Sequence, residues 1–276
     1  MSKNIFLGLA LALLLVLGSI CLFLFIGAFD AFKNIGVFEF LFSKDYYPSQ
    51  EIFGVFSMLV NTLLISFLSL LLASIIGGFC SIYMVFFAKA KIKSIFTFIL
   101  SILSMIPSVL YGFFALVVIV PFIASISNTS GKGFLSALII LSIMILPTII
   151  LLFSSYLDAV NKDYFKASLA LGLSRQKSII IMLRAGFSGI LTALVLALAR
   201  ALGEAMAVVM VAGNQVQIPS TILEGFRTLS ANIVLEMGYA ANLHKSALIA
   251  SGFVLFMMIL LINVFITFLK DKNVKN

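Results

Sequence analysis

The sequence contains little charge, only two cysteines and a single histidine. Charged residues make up 10% of its 276 residues and hydrophobic residues 63%, and the mean hydropathy is +1.24. Soluble domains carry about 25% charged residues, so this composition excludes a soluble globular protein. Cys21, Cys80 and His244 lack partners at metal-ligand spacing, and no nucleophile and base converge at one depth. We therefore expect neither an enzyme nor a bound metal.

The net charge of +8 comes from Lys and Arg residues in short loops between apolar runs. These residues concentrate at Lys89–Lys93 and in Leu157–Phe187, and alternate loops carry fewer of them. By the positive-inside rule, these two loops and both chain termini lie in the cytoplasm. The basic stripe typical of nucleic-acid-binding proteins is missing. We expect the lipid bilayer, and no nucleic acid, as the partner of this surface.

Apolar runs of about 20 residues predict membrane-spanning helices. The sequence contains six such runs, which predict an all-α integral membrane protein with six transmembrane helices. Pro107 is expected to kink the third run and Pro147 the fourth. The first run is longer than a signal-peptide core and has no cleavage site after it, so we expect it to span the membrane. The six runs are Ile5–Phe29, Val55–Phe87, Ile95–Ile126, Phe134–Tyr156, Ser188–Gly213 and Ser246–Leu269.

Arg200 and Glu204 lie one predicted helical turn apart in Ser188–Gly213, which is otherwise free of charge. A central Arg costs roughly 2.5–3.5 kcal/mol in a membrane, so such residues face a protein interior or a water-filled path. Alanines repeat every four residues on the same predicted stripe and favour close helix packing. Two hypotheses stay open. The charges form a structural ion pair, or Glu204 positions Arg200 to bind an oxyanion in a solute path.

Three further polar residues are candidates for the same path. Ser108 and Tyr111 follow the helix-breaking Pro107 and could offer hydroxyls to a solute. Hydroxyls in membrane helices also bond the backbone or neighbouring helices, which is the alternative. Asn214 is a candidate at the end of the fifth run, with helix capping as its alternative function.

The long polar loop before the fifth run contains a predicted short helix, Tyr164–Leu171, followed by a glycine. The sequence Lys166-Ala167-Ser168-Leu169-Ala170-Leu171-Gly172 resembles the EAA loop of ABC-importer permeases, which forms a coupling helix that docks into the ATPase subunit. Lys166 stands where Glu is usual, and Arg184-Ala185 where Leu-Pro usually closes the motif. The resemblance implies that Lys166, Ala167, Ser168 and Gly172 couple this chain to an ATPase.

A more specific resemblance follows in the fifth run. The sequence Arg200-Ala201-Leu202-Gly203-Glu204-Ala205-Met206-Ala207-Val208, continuing to Ala212-Gly213-Asn214, is similar to the signature of PstC-type permeases of phosphate importers. Pieces at Ile106–Gly112, Ile143–Pro147 and Ser188–Ile190 fall in the family's order, and the resemblance covers about Phe38 to Phe265. It implies a type I ABC-importer permease fold in a multi-pass protein of the cytoplasmic membrane. Residues 1–54 would form an N-terminal helix and external loop, 55–269 the permease core with a coupling loop at about 157–187, and 270–276 a cytoplasmic tail.

The resemblance also implies partners and a substrate. A second, PstA-type permease would complete the pathway, two copies of a PstB-type ATPase would drive it, and an external PstS-type binding protein would deliver phosphate. The sequence has no Walker A motif, so we expect ATP on the separate ATPase subunit and no cofactor on this chain. The candidate residues of the substrate pathway are Arg200, Glu204, Ser108, Tyr111 and Asn214.

Two other functions remain alternatives. The same architecture could carry another oxyanion such as sulfate, molybdate or a phosphonate, because the chemistry of Arg200 suits all of them. An ATP-independent secondary transporter or channel would also place charge within the membrane. The sequence has no inverted repeat or matched pair of broken helices to favour this second alternative.

Overall fold

The computed structural model describes residues 2–274 and the side chains of residues 6–268. Helices dominate it, with one short antiparallel pair of strands in which Tyr46 pairs with Phe53. The elements are α1 Ser2–Ile35, α2 Val37–Phe42, β1 Tyr46–Tyr47, β2 Ile52–Phe53, α3 Phe56–Phe86, α4 Ala90–Met105, α5 Ser108–Phe114, α6 Val120–Ser127, α7 Phe134–Ala159, α8 Asp163–Ala170, α9 Arg175–Ala185, α10 Phe187–Gly203, α11 Met206–Val211, α12 Leu229–Glu236 and α13 Asn242–Val274. Of the predicted tail, residues 275 and 276 lie outside the described residues.

The described helices provide five spans long and apolar enough to cross a membrane, or six when one bent pair of helices is counted as a single span. The five are α1, α3, α7, α13 and the segment Ser108–Ser127, in which a π-helical stretch joins α5 to α6. Helices α9 and α10 form the bent pair, with an angle of 66° at Gly186. The all-α membrane architecture with six spans is therefore confirmed.

The third predicted span, Ile95–Ile126, is wrong as a single helix. The chain ends α4 and begins α5 at Pro107, because proline has no N–H to donate to the carbonyl of Leu103. The hydroxyl of Tyr111 donates to that carbonyl at 2.8 Å. Pro107 thus breaks the helix rather than kinking it, whereas α7 continues past Pro147.

Close packing of α3 against α7 builds the centre of the fold. The close approach depends on Gly77 of α3, where a Cβ atom would lie 2.9 Å from Cγ2 of Ile149 on α7. At the adjacent Gly78 a Cβ atom would meet nothing within 4 Å. The main apolar core lies among α3, α5, α7, α10 and α11, while α1 packs on α13 and exposes most of its surface, as a lipid-facing helix does.

The predicted orientation defines an inner, cytoplasmic end and an outer end of the molecule. The inner end carries α8, α9 and the turn between α3 and α4, and the outer end carries β1, β2 and α12. At the inner end Lys93 forms an ion pair with Asp158, with Nζ 2.5 Å from Oδ2 and both side chains about one-third exposed. At the outer end the loop after α11 covers the start of α7, where the Phe134 N–H donates to the Glu224 carbonyl at 3.0 Å.

Candidate functional site

Arg200 lies in the last turn of α10 and is half-buried between helices. Its Nη1 donates to Oγ1 of Thr148 on α7 at 3.0 Å. The ion pairs among the described residues do not include Arg200. A guanidinium has five N–H donors and stays charged at physiological pH, so one neutral hydroxyl leaves both its charge and its donor fork uncompensated by an anion.

The predicted partnership of Arg200 with Glu204 is wrong. Helix α10 ends at Gly203, and Glu204 adopts an extended backbone with ψ 124°. Its Oε1 accepts a hydrogen bond from the N–H of Ala207 at 3.0 Å, which satisfies a donor at the start of α11. The two charges do not share a helical face, because the helix stops between them. Thr148, instead of Glu204, is the hydrogen-bond partner of Arg200.

The break after Gly203 is stabilised from a second direction. The hydroxyl of Ser230, in the first turn of α12, donates to the carbonyl of Glu204 at 2.8 Å. The alanine ladder predicted to run through the break is divided by it: Ala197 and Ala201 are buried in the core, and Ala205 follows in the connection to α11. The fifth predicted span is therefore two helices with a fixed corner.

Tyr111 lies beside this corner because α5 packs closely on α11. A Cβ atom at Gly112 would lie 2.8 Å from Cα of Ala207, so glycine permits the contact. The Tyr111 side chain is buried. Its hydroxyl donates a hydrogen bond to the Leu103 carbonyl of α4. Bonding to the backbone is the alternative to a role in the solute path that was predicted for this hydroxyl. Ser108 is half-buried at the start of α5.

Asn214 caps the end of α11. Its Nδ2 donates to the carbonyl of Val209 at 2.8 Å, and its φ of +55° is the left-handed conformation that ends many helices. Its own carbonyl accepts from Nε of Arg227 at 3.0 Å. Helix capping therefore explains the hydrogen bond of the Asn214 amide nitrogen. A position of Asn214 in the substrate path stays a prediction.

The predicted helix of the long loop is confirmed as α8. It ends in a Schellman motif, in which the Leu173 N–H donates to the Ser168 carbonyl at 3.1 Å and the Gly172 N–H to the Leu169 carbonyl at 3.0 Å. Gly172 has a φ of +82°, which glycine adopts without the penalty other residues incur. The four predicted coupling residues thus belong to one compact helix and turn.

The coupling residues differ in exposure. Lys166 and Ala167 are exposed on α8, as is Gly172 in the turn. Ser168 is buried, and its hydroxyl donates to the carbonyl of Phe165 at 2.8 Å. The first three can contact another subunit, whereas the side chain of Ser168 stabilises α8 itself.

Contacts with α3 hold the coupling loop in place. The ring centroids of Phe165 on α8 and Phe86 at the end of α3 lie 5.5 Å apart. Arg175, the first residue of α9, donates to the Phe86 carbonyl and places its guanidinium 4.5 Å from the ring centroid of Phe87. A displacement of α8 would therefore act directly on the inner end of α3.

A buried polar cluster at the outer end was missed by sequence reasoning, which considered its member His244 only as a metal ligand. Glu236, at the end of α12, lies at its centre. Its Oε1 accepts from Nη1 of Arg227 at 2.6 Å, and its Oε2 contacts the hydroxyl of Tyr46 at 2.6 Å and Nε2 of His244 at 2.9 Å. Asn232 bonds both Arg227 and Tyr46. Tyr46 and Glu236 are 190 residues apart, so no local pattern could indicate the cluster.

Burial raises the pKa of the Tyr46 phenol well above its usual range, and the hydrogen bond to Glu236 raises that pKa further. An anionic phenolate beside the Glu236 carboxylate would be repelled as well as desolvated. Tyr46 is therefore a neutral hydrogen-bond donor to Glu236 at physiological pH.

Comparison with known proteins identifies the family of this chain. The family described as binding-protein-dependent transport system inner membrane component matches residues 73–275. The chain belongs to this family. The probable ABC transporter permease protein YqgH of Bacillus subtilis is 34% identical over 274 residues, which cover 96% of this permease and 89% of YqgH. The phosphate transport system permease protein PstC of Mesorhizobium japonicum is 29% identical over 278 residues, which cover 92% and 84% of the two chains.

A solved structure of the MetNI methionine ABC transporter, in an inward-facing conformation, superimposes on the permease with a TM-score of 0.63. The match covers 83% of this chain and 99% of that one at 20% identity, and it confirms the type I permease fold. The protein is a multi-pass permease subunit of an ABC importer in the inner membrane, and its sequence is similar to those of PstC permeases.

Proposed function

We propose that the permease translocates inorganic phosphate as one half of an ATP-driven pathway. The observation that carries this proposal is the environment of Arg200, which is half-buried and held by the hydroxyl of Thr148 rather than by a carboxylate. A tetrahedral oxyanion supplies the negative charge that this site lacks, and a guanidinium can donate two parallel hydrogen bonds to it. The similarity to the phosphate transport system permease protein PstC of Mesorhizobium japonicum supports phosphate as that oxyanion.

The proposed partners follow from the exposed surfaces. A second, PstA-type permease would complete the pathway beside Arg200. A PstB-type ATPase dimer would bind and hydrolyse ATP and contact the coupling turn, where Leu171 is 83% exposed next to Lys166 and Ala167. An external PstS-type binding protein would deliver phosphate to the loops 30–54 and 214–245 at the outer end.

Energy would reach Arg200 through packed elements. Closure of the ATPase dimer would displace α8, and the contact of Phe165 with Phe86 would pass that displacement to α3. Helix α3 packs along α7, which carries Thr148, the hydrogen-bond partner of Arg200. ATP can drive such a change only if it binds one conformation better than the other.

Uptake of labelled phosphate tests the proposal. The permease is reconstituted in proteoliposomes with its co-purifying partners and binding protein, with ATP in the lumen or omitted, and with sulfate as competitor. We expect uptake that requires ATP, is unaffected by sulfate and falls to the level of protein-free liposomes in Arg200→Ala. ATP-driven uptake of sulfate in place of phosphate would make the substrate another oxyanion. Uptake independent of ATP would contradict the coupling to an ATPase.

A further inference from the structure

A cavity of about 520 Å³ opens at the inner end of the permease, between the end of α7 and the beginning of α10. Its walls come from α7, the start of the coupling loop and the corner between α9 and α10, and none of its lining side chains is charged. Polar groups line it from several directions. These are the side chains of Tyr156, Asn161, Tyr164, Ser188 and Thr192.

The cavity lies on the same helical faces as the bond between Arg200 and Thr148. Ala159 follows Thr148 on α7 by eleven residues, and Gly189 precedes Arg200 on α10 by eleven, and both line the cavity. Eleven residues are about three helical turns, so each returns to the same face some 16 Å along its helix. Helices α7 and α10 pack against each other. The cavity therefore lies about three turns from Arg200 along these faces, toward the inner end.

The groups in the cavity are suited to hydrogen bonding an anion. The hydroxyls of Tyr156, Tyr164 and Ser188 have no hydrogen bond to another group in the described part of the chain. The Oδ1 of Asn161 accepts from the N–H of Asp163 at 2.9 Å, which leaves its two amide N–H groups as donors. These donors are neutral, so they bind an anion more weakly than a guanidinium does.

Tyr156 is fixed in the cavity wall by its packing. A Cβ atom at Gly189 would lie 2.6 Å from the ring of Tyr156, so the ring rests directly on the backbone of α10. This contact restricts the side chain and keeps the phenol at the cavity, where an ordered donor loses less entropy on binding than a mobile one.

We propose that this cavity is a second oxyanion site, the last one occupied before release at the inner end. The proposal rests on the proposed function and adds a station to it. Arg200 holds the anion by charge, and the cavity receives it through neutral donors that can release it into water. The apolar Leu196 lies between Thr192 and Arg200 on this face of α10 and does not line the cavity.

A cysteine protection experiment on the whole reconstituted complex tests the site directly. Ser188→Cys is introduced in a background of Cys21→Ser and Cys80→Ser, and its reaction with a negatively charged methanethiosulfonate reagent is followed. We expect saturating inorganic phosphate to slow the reaction at least threefold, and chloride at equal ionic strength to leave it unchanged. Ser94→Cys, an exposed inner-end position on α4 outside the cavity, is the control that phosphate should not protect.

The second measurement is transport by a variant whose cavity lacks the hydroxyls of Tyr156 and Ser188. In Tyr156→Phe with Ser188→Ala we expect the maximal rate of phosphate uptake to fall about three- to tenfold. The external phosphate concentration at half-maximal rate should stay unchanged, because delivery at the outer end is intact. Tyr83→Phe, an exposed tyrosine on α3, serves as the matched control.

The outcomes separate this inference from the proposed function. An unprotected Ser188→Cys would overturn the cavity site even if the parent complex transports phosphate with ATP. Protection by sulfate but not by phosphate would keep the site and change its substrate. A parent complex without ATP-driven phosphate uptake would overturn the proposed function, and protection by phosphate would still support the cavity as an oxyanion site.

Discussion

Arg227 and Glu236 form a buried ion pair at the outer end, with Nη1 2.6 Å from Oε1 and side-chain exposures of 16% and 8%. The second carboxylate oxygen of Glu236 contacts Tyr46 of β1 and His244 of α13. One carboxylate therefore joins the first outer loop, α12 and the last membrane helix. Its removal would leave a buried cation without a counter-charge.

Glu236→Ala is expected to lower the free energy of unfolding by about 3–5 kcal/mol, because Arg227 would remain buried and unpaired. Thermal unfolding followed by circular dichroism in detergent measures the change. Glu39→Ala, an exposed carboxylate on α2, should unfold at the wild-type temperature. Equal unfolding temperatures for the two variants would contradict the structural importance of the cluster.

Because of Tyr46, the stability of the permease should decline at alkaline pH. Since its pKa is raised in the folded chain, the unfolded chain releases the phenolic proton first, near pH 10. The stabilisation is therefore complete below about pH 10 and declines as pH rises above it. Wild type should lose unfolding temperature between about pH 10 and 11 more steeply than Tyr46→Phe. The neighbouring Tyr47→Phe, an exposed position, should keep the wild-type slope.

Two adjacent glycines on α3 should respond oppositely to the same substitution. Gly77→Ala is expected to destabilise the permease by about 1–3 kcal/mol, because the new methyl group would overlap the buried Ile149. Gly78→Ala should be neutral or stabilising by up to about 1 kcal/mol, since its side faces open space and alanine favours the helix. Unfolding temperatures in detergent compare the two, and equal effects would argue against the close contact of α3 with α7.

Thr148 is expected to position Arg200 for transport. A hydrogen bond to a charged group contributes about 1.5–3 kcal/mol, so Thr148→Val should reduce ATP-driven uptake about tenfold or more. Thr148→Ser keeps the hydroxyl and should restore most of the rate. Thr97→Val, at an exposed position on α4, is the matched control for loss of a threonine hydroxyl. A rate in Thr148→Val equal to that of the control would exclude the positioning role.

Glu204 should repel anions in the resting permease while its side chain caps α11. Glu204→Gln keeps an amide oxygen for the Ala207 N–H and removes only the charge, so we expect passive phosphate leak to rise several-fold at unchanged stability. Glu204→Ala removes the cap as well and should also unfold at a lower temperature. Leak is measured in proteoliposomes without ATP, and a leak in Glu204→Gln equal to wild type would reject the idea.

Periodicity and composition predict most of the fold, because each spanning helix is a long apolar run limited by charge. Helix α8 was also predictable, since a polar segment ending at Gly172 contains both a helix and its termination signal. Proline chemistry indicated a disturbance at Pro107, and the structure makes it a break, after which the Leu103 carbonyl accepts hydrogen bonds from the Ile106 N–H and the Tyr111 hydroxyl.

The remaining features depend on contacts between distant segments. The corner at Glu204 needs Ser230, 26 residues later, to satisfy its carbonyl, and nothing within Ser188–Gly213 indicates that partner. A glycine followed by a carboxylate that can cap the next helix was the one local signal. Thr148 was likewise hidden among apolar residues of α7 until the helices were placed side by side.

The Glu236 cluster also gives the permease a mechanical asymmetry. The side chains of Arg227, Glu236 and His244 are at most 16% exposed, whereas the Lys93–Asp158 pair at the inner end is about one-third exposed, and pairs of that kind contribute only about 0–1 kcal/mol. The outer half should accordingly move as a rigid body, because the Glu236 cluster bonds its loops to α13. Deformation during a transport cycle would then concentrate at the inner end, where α9 and α10 meet at an angle of 66°.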